Sequence, residues 1–162
     1  MKRSKIGKFM YKLTMACGKF LSRHMWIYYI LIWTWGFIMS FVGLLISLIM
    51  LITGHKPKKY HGIWCFMLKN KDFGISFGTT FLACDESVCP HEYGHTFQNA
   101  IFGPLFIFLI ALPSGIRYWY RELKFYRKGK NPTTDYDAIW FEGSATDLGK
   151  YIISEAKNNE NK

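Results

Sequence analysis

His91, Glu92 and His95 stand together in the stretch CPHEYGHTFQ, residues 89–98. On a helix, residues four apart project from one face, so His91 and His95 can both reach a single metal ion. Glu92 lies beside them and can take the proton of a water that the metal activates. Zinc lowers the pKa of such a water towards 7, and the chemistry this spacing supports is attack on a peptide carbonyl. The alternative is two solvated histidines on an amphipathic helix. Gly94 inside the motif favours the metal reading. A glycine in a helix costs about 1 kcal/mol relative to alanine, so its presence there points to close packing.

A catalytic zinc takes three protein ligands and keeps one position open. Downstream acids that can supply the third are Asp135, Asp137, Glu142 and Asp147. Glu142 stands first, because Ala145 and Gly149 at i+3 and i+7 give its helix face small residues that allow close approach to the metal helix. Asp147 is the second choice, either as a ligand or as an acceptor for the outer ring N–H of a histidine ligand. For either acid the plain alternative is an exposed helix charge. His61, Tyr93 and Tyr136 are candidates for a further polar partner of the reaction, and ordinary packed residues otherwise.

The elements that must position these residues follow from patterning. The metal helix is expected from about Val88 to Ile101, with Asp85, Glu86 and Ser87 as caps and Pro90 in its first turn. A final amphipathic helix is expected over residues 135–153, followed by a polar tail, 155–162. Residues 63–83 alternate weakly around KNKD (69–72), which predicts a small β-hairpin or two short strands. Residues 53–62 are a basic polar turn.

The remainder of the chain is strongly apolar. Of 162 residues half are hydrophobic and 19% aromatic, and the net charge is +10. Apolar residues fall in runs flanked by basic ones, the pattern of a membrane partner rather than of a nucleic-acid groove. Residues 4–24 carry apolar residues at helical spacing opposite Lys5, Lys8, Lys12, Lys19 and Arg23. They read as a basic amphipathic helix at a lipid surface, the unit 1–25, or as a helix packed on the rest of the protein. Residues 26–52 are 27 residues without a charge, enough for one transmembrane helix. The four cysteines, Cys17, Cys65, Cys84 and Cys89, form no C-x-x-C pair, and free thiols are expected.

HEYGHTFQ, then GPL, then LPS, then WFEGSATDLG, together with the strand DFGISFG, resembles a family of small bacterial integral-membrane zinc metallopeptidases with an HEYGH motif. The resemblance covers roughly residues 60–150. More broadly the arrangement is similar to the gluzincins, where a glutamate of a later helix is the third zinc ligand. It implies His91, His95 and Glu142 as ligands and Glu92 as general base. It also implies a bacterial cytoplasmic membrane and a peptide or protein substrate. Two positions depart from the family pattern: Phe73 stands where those relatives have Trp, and Thr146 precedes Asp147, placing that acid one residue late. Site-2-type intramembrane proteases share H-E-x-x-H, but NPTTDYD (131–137) only faintly echoes their second motif.

The expected fold is thus a mainly α integral-membrane protein with a small β-hairpin, a zincin-like metal helix and a C-terminal helix. Residues 53–154 form its metallopeptidase-like unit. Residues 101–120 pose a geometric problem. A helix crossing the bilayer there would rise about 30 Å and part His91 from Glu142. Pro104 and Pro113 suggest instead that residues 102–120 fold back as a re-entrant hairpin. The basic residues between Arg117 and Lys130 favour a cytoplasmic metal site. The expected partners are membrane lipids and a peptide; a non-catalytic membrane protein that binds partners is the rival reading.

Overall fold

Ser4 accepts a hydrogen bond from the Gly7 amide and starts helix α1, Lys5–Arg23. The computed structural model describes residues 3–68 and 73–160; KNKD, between the expected strands, lies outside them. Small residues of α1, among them Gly7, Thr14 and Gly18, are buried, while Ile6, Phe9 and Phe20 stay exposed. A Cβ on Gly18 would overlap the Leu148 side chain of the last helix. The small face of α1 therefore packs on the protein and much of its apolar stripe stays outside.

The expected single helix over 26–52 does not form. Met25–Trp33 is helix α2 and Phe37–Ile52 is helix α3, and their axes are bent by 83° at the break between them. Among the described residues no single helix is long and apolar enough to cross a membrane, which overturns the integral-membrane architecture expected from this run. The break has a local cause. The Asn99 side chain donates to the Gly36 carbonyl at 3.2 Å, and a Cβ on Gly36 would collide with that amide. Ser40 Oγ donates to the Ile32 carbonyl across the break at 2.6 Å. Ser40 takes the Ile32 carbonyl that a continuous helix would give to the Gly36 N–H, which goes to the Leu31 carbonyl instead, so an apolar count alone could not reveal the bend.

The expected hairpin is a four-stranded mixed sheet, β1 Lys58–Tyr60, β2 Ile63–Met67, β3 Gly74–Phe77 and β4 Thr80–Ala83, in the order β1-β2-β4-β3. β1 comes from the segment read as a polar turn. The hairpin pairing is between β3 and β4, antiparallel with Phe77 opposite Thr80. β2 pairs with β4 in parallel, Trp64 opposite Thr80. Gly78 opens the two-residue turn at φ +60°, against the Ser40 backbone, a conformation and a space that favour glycine. β3 is left at the sheet edge.

Helix α4, Cys89–Phe102, carries the motif and lies across this sheet. Ile63, Cys65, Phe81 and Ala83 of the sheet meet Cys89, Tyr93 and Phe97 of α4, with Tyr28 and Ile32 of α2 completing the same core. Tyr28 stacks on Phe97 at 4.3 Å and donates to Thr96 Oγ1. Each such buried aromatic contributes about 2–3 kcal/mol of apolar transfer.

After a turn at Gly103–Pro104 the chain is helical through to Lys124, with a π-helical stretch Ile107–Ala111 leading into helix α5, Leu112–Lys124. The fold-back expected at Pro113 is absent. Proline has no N–H to give the preceding turn, and the π register just before it absorbs that missing bond. The return comes later, through residues 125–139. Arg117 donates to the Asp135 and Tyr136 carbonyls, and Arg121 to the Thr134 carbonyl. This return delivers helix α6, Trp140–Glu160, against α4. The helix starts five residues later than its sequence pattern suggests and continues into the segment read as a polar tail.

Candidate metal centre

α4 and α6 approach closely because both are small where they meet. A Cβ on Gly94 would run into the Ala145 carbonyl, and one on Gly149 into the Pro90 carbonyl. Larger residues would push the helices apart by an ångström or more, which is the physical reason for the small face beside Glu142. The contact brings Glu142 beneath His91 and His95. Glu142 Oε2 lies 3.2 Å from His91 Nε2 and 3.4 Å from His95 Nε2, and the two Nε2 atoms are 3.1 Å apart. Glu142 is fully buried, His95 is buried and His91 faces a cleft.

The protons of both histidines can be placed from their outer partners. Gln98 Nε2 donates to the Phe141 carbonyl at 2.7 Å and to Ser144 Oγ at 2.9 Å, which turns its Oε1 towards His95. An amide oxygen only accepts, so the 2.7 Å contact between His95 Nδ1 and Gln98 Oε1 requires the proton on Nδ1. Thr146 Oγ1 donates to Asp137 Oδ1 at 3.1 Å and therefore accepts from His91 Nδ1 at 2.7 Å. Both Nε2 atoms then present lone pairs. The Glu142 oxygens are buried facing both imidazoles, and neither accepts a well-formed hydrogen bond while those rings are neutral. Three basic atoms thus converge with no proton assigned between them, an arrangement that calls for a cation.

The triangle's size fits one. Ligands held about 2.0–2.1 Å from a tetrahedral zinc stand about 3.3 Å from one another. His91, His95 and Glu142 form a group able to hold a metal ion, and their edges agree with that spacing. Without a metal, a proton takes its place. Burial disfavours a charged His95, yet hydrogen bonding and charge from Glu142 outweigh it and raise the imidazole to about 8. Burial alone would raise the Glu142 carboxyl, and the two facing histidines more than offset this, holding it well below the ordinary carboxylate range.

Glu92 is buried beside the triangle, and burial raises its carboxyl above the usual value. Gly74 of the edge strand β3 lies against it: a Cβ there would overlap Glu92 Oε1. Two clefts, about 800 and 450 Å³, open on His91 and Glu92 and share Phe73, Gly74 and Tyr136. The smaller is walled by Phe77, Phe106, Ile110 and Trp119.

The other sequence candidates fall as follows. Asp137 and Thr146, not Asp147, form the outer chain behind His91; Asp147 is exposed and accepts from Tyr11. Asp135 is exposed, and its carbonyl receives Arg117. Tyr93 donates to the His61 carbonyl at 3.1 Å, and both residues line a separate cavity. Tyr136 lies on both clefts, its ring 6.1 Å from that of His91. The four cysteines are free. Gln98 and Thr146 were given no role by sequence reasoning, although Gln98 falls at i+3 from His95 and Thr146 at i+4 from Glu142, on the faces that carry the ligands.

Compared with family models, curated proteins and solved structures, the chain matches none.

Proposed function

We propose that the chain is a zinc-dependent peptidase of the gluzincin type, with His91, His95 and Glu142 holding the metal and Glu92 acting as general base. One observation carries the reading: both histidine tautomers are fixed by acceptors behind them, so two imidazole lone pairs and a carboxylate meet at zinc-ligand spacing. A zinc ion bound there supplies a water of lowered pKa and polarises the substrate carbonyl.

The chain's own residues do the rest. Glu92, its carboxyl raised by burial, accepts a proton from the attacking water and passes it to the leaving amine. Gly74 leaves the space in which that carboxylate sits. The edge strand β3 and the clefts beside it offer an extended peptide main-chain hydrogen bonds and an apolar recess. Motif, third ligand and outer partners together support the resemblance to the HEYGH metallopeptidases. The same reading assigns the exposed apolar residues of α1 and α3, such as Phe9, Phe20, Phe41 and Leu48, to an anionic lipid surface. Sedimentation with phosphatidylglycerol vesicles but not with neutral ones is expected, and equal partition into both would remove the lipid assignment.

The decisive experiment pairs elemental analysis with hydrolysis of a peptide mixture read by mass spectrometry. The wild type is expected to hold about one zinc and to cleave. Glu92→Gln should keep the metal and lose turnover by about 10²-fold or more. His95→Ala and Glu142→Ala should lose both. Zinc retained in the Glu142 variant, or no cleavage by zinc-loaded wild type, would refute the proposal.

A further inference from the structure

Arg121 is 6% exposed, and no acid pairs with it among the described residues. Its Nη1 donates to the Thr134 carbonyl at 2.8 Å and its Nη2 to Tyr126 Oη at 3.3 Å; its Nε is buried and without an acceptor. A guanidinium has five N–H donors and keeps its charge, so several stay unsatisfied here. Burying such a charge is costly unless an anion meets it. The side chain lines the 800 Å³ cleft that opens on His91 and Glu92, and Lys150 of α6 lines the same cleft. Among the described residues lining that cleft, the one carboxylate besides Glu92 is Glu122, 3.6 Å from Arg127.

We propose that Arg121, assisted by Lys150, receives the carboxylate of a bound peptide, and that this carboxylate is the free C-terminus. The inference rests on the peptidase reading of the neighbouring site and names its substrate class. Position is the argument for the terminus. The Tyr136 ring neighbours both groups, 5.4 Å from Arg121 Cζ and 6.1 Å from the His91 ring. These two contacts keep the separation within about 12 Å, at most the reach of three to four extended residues at about 3.3 Å each. A chain whose end is held at Arg121 therefore presents a bond a few residues upstream to Glu92. The preference is for short C-terminal fragments, not for internal bonds at large.

Binding tests this apart from turnover. Full-length Glu92→Gln protein, with and without zinc, is titrated into N-terminally dye-labelled alanine-rich pentapeptides, and anisotropy is read. One peptide ends in a free carboxylate, one in an amide, and one in an amide with glutamate as its last residue. The free acid is expected to bind about tenfold or more tighter than the plain amide, as a charge-assisted pair implies. Adding Lys150→Gln should narrow the gap and adding Arg121→Gln should close it, whereas Arg121→Lys keeps part of it. Lys150 is exposed, so that variant folds and tests the cleft even if Arg121→Gln does not. Tight binding of the glutamate amide as well supports carboxylate capture and extends it to acidic side chains. Equal affinity for acid and plain amide overturns the proposal. If the preference is present but zinc-loaded wild type cleaves nothing, the peptidase reading fails and the carboxylate site stands.

Discussion

Replacing Gln98 by methionine keeps the length and volume of the side chain and removes its three hydrogen bonds. Its Oε1 accepts the His95 Nδ1 proton at 2.7 Å, and its Nε2 serves the Phe141 carbonyl and Ser144 Oγ. All of these groups are buried. Two separate costs follow. The first is structural: the His95 N–H loses its acceptor in a dry site while the Phe141 carbonyl keeps a donor in Ser144 Oγ at 3.3 Å, so unfolding free energy should fall by about 1–3 kcal/mol. The second is specific to the metal. Without an acceptor behind Nδ1, His95 can place its proton on either nitrogen, and half of its function as a ligand is no longer prearranged. Loss of such an outer partner weakens metal affinity by about 10–100-fold. Urea denaturation of the metal-free protein reads the first cost. Competition for zinc against a chromophoric chelator, on protein shown to be folded by circular dichroism, reads the second. Gln98→Glu sharpens the comparison, because a carboxylate still accepts from His95 but faces the Phe141 carbonyl as a second acceptor. It should therefore lose stability while retaining zinc affinity. If Gln98→Met is folded, destabilised and binds zinc as tightly as wild type, Gln98 is a helix-to-helix clamp only, and the tautomer reasoning is wrong.

Proton and metal compete for the same atoms, which fixes the sign of a pH effect. His95 is raised from 6.5 to about 8 in the metal-free fold, so its contribution is fully present below pH 6.5 and is lost as pH rises through 8. The metal-free protein should lose about 2 kcal/mol between pH 6 and 9, by denaturation at each pH, while zinc affinity should rise over the same interval. Metal-free stability that is flat or increases there would contradict the His95–Glu142 pairing. Gly74→Ala places a methyl where Glu92 Oε1 lies, so hydrolysis should fall at least tenfold with zinc content unchanged. Turnover equal to wild type would show that Glu92 is free to move, measured on the same peptide mixture.

The site was more legible in the sequence than the fold around it. A helical i,i+4 pair is a local fact, and Gly94, Ala145 and Gly149 signal a close helix crossing because few other residues allow one. His91, His95 and Glu142 could be named from those signals, and the structure brings them together. The bend at residues 34–36 was not legible, since its causes are Asn99 and Ser40 acting on backbone groups across a break, and a hydropathy window counts neither. The pattern over residues 63–83 predicts a hairpin or two short strands and no more, because alternation shows that a strand exists but not which neighbour it takes. The parallel β2–β4 pairing depends on contacts 16 residues apart, Trp64 with Thr80. Pro113 looked like a turn because the sequence gives no sign of the π register that accommodates it.

The bend also decides what can be taken away from this protein. Residues 26–52 look like a detachable anchor, with a working unit beginning at 53. Yet Tyr28 holds Thr96, Trp35 Nε1 donates to the Ile101 carbonyl, and Asn99 reaches for Gly36, so three positions of the ligand helix are fastened to that segment. Tyr28 and Ile32 sit in one core with Phe97. The chain is therefore indivisible where its composition most invites a cut. A fragment starting at residue 53 would carry every proposed metal ligand and leave the helix that aims two of them without its backing.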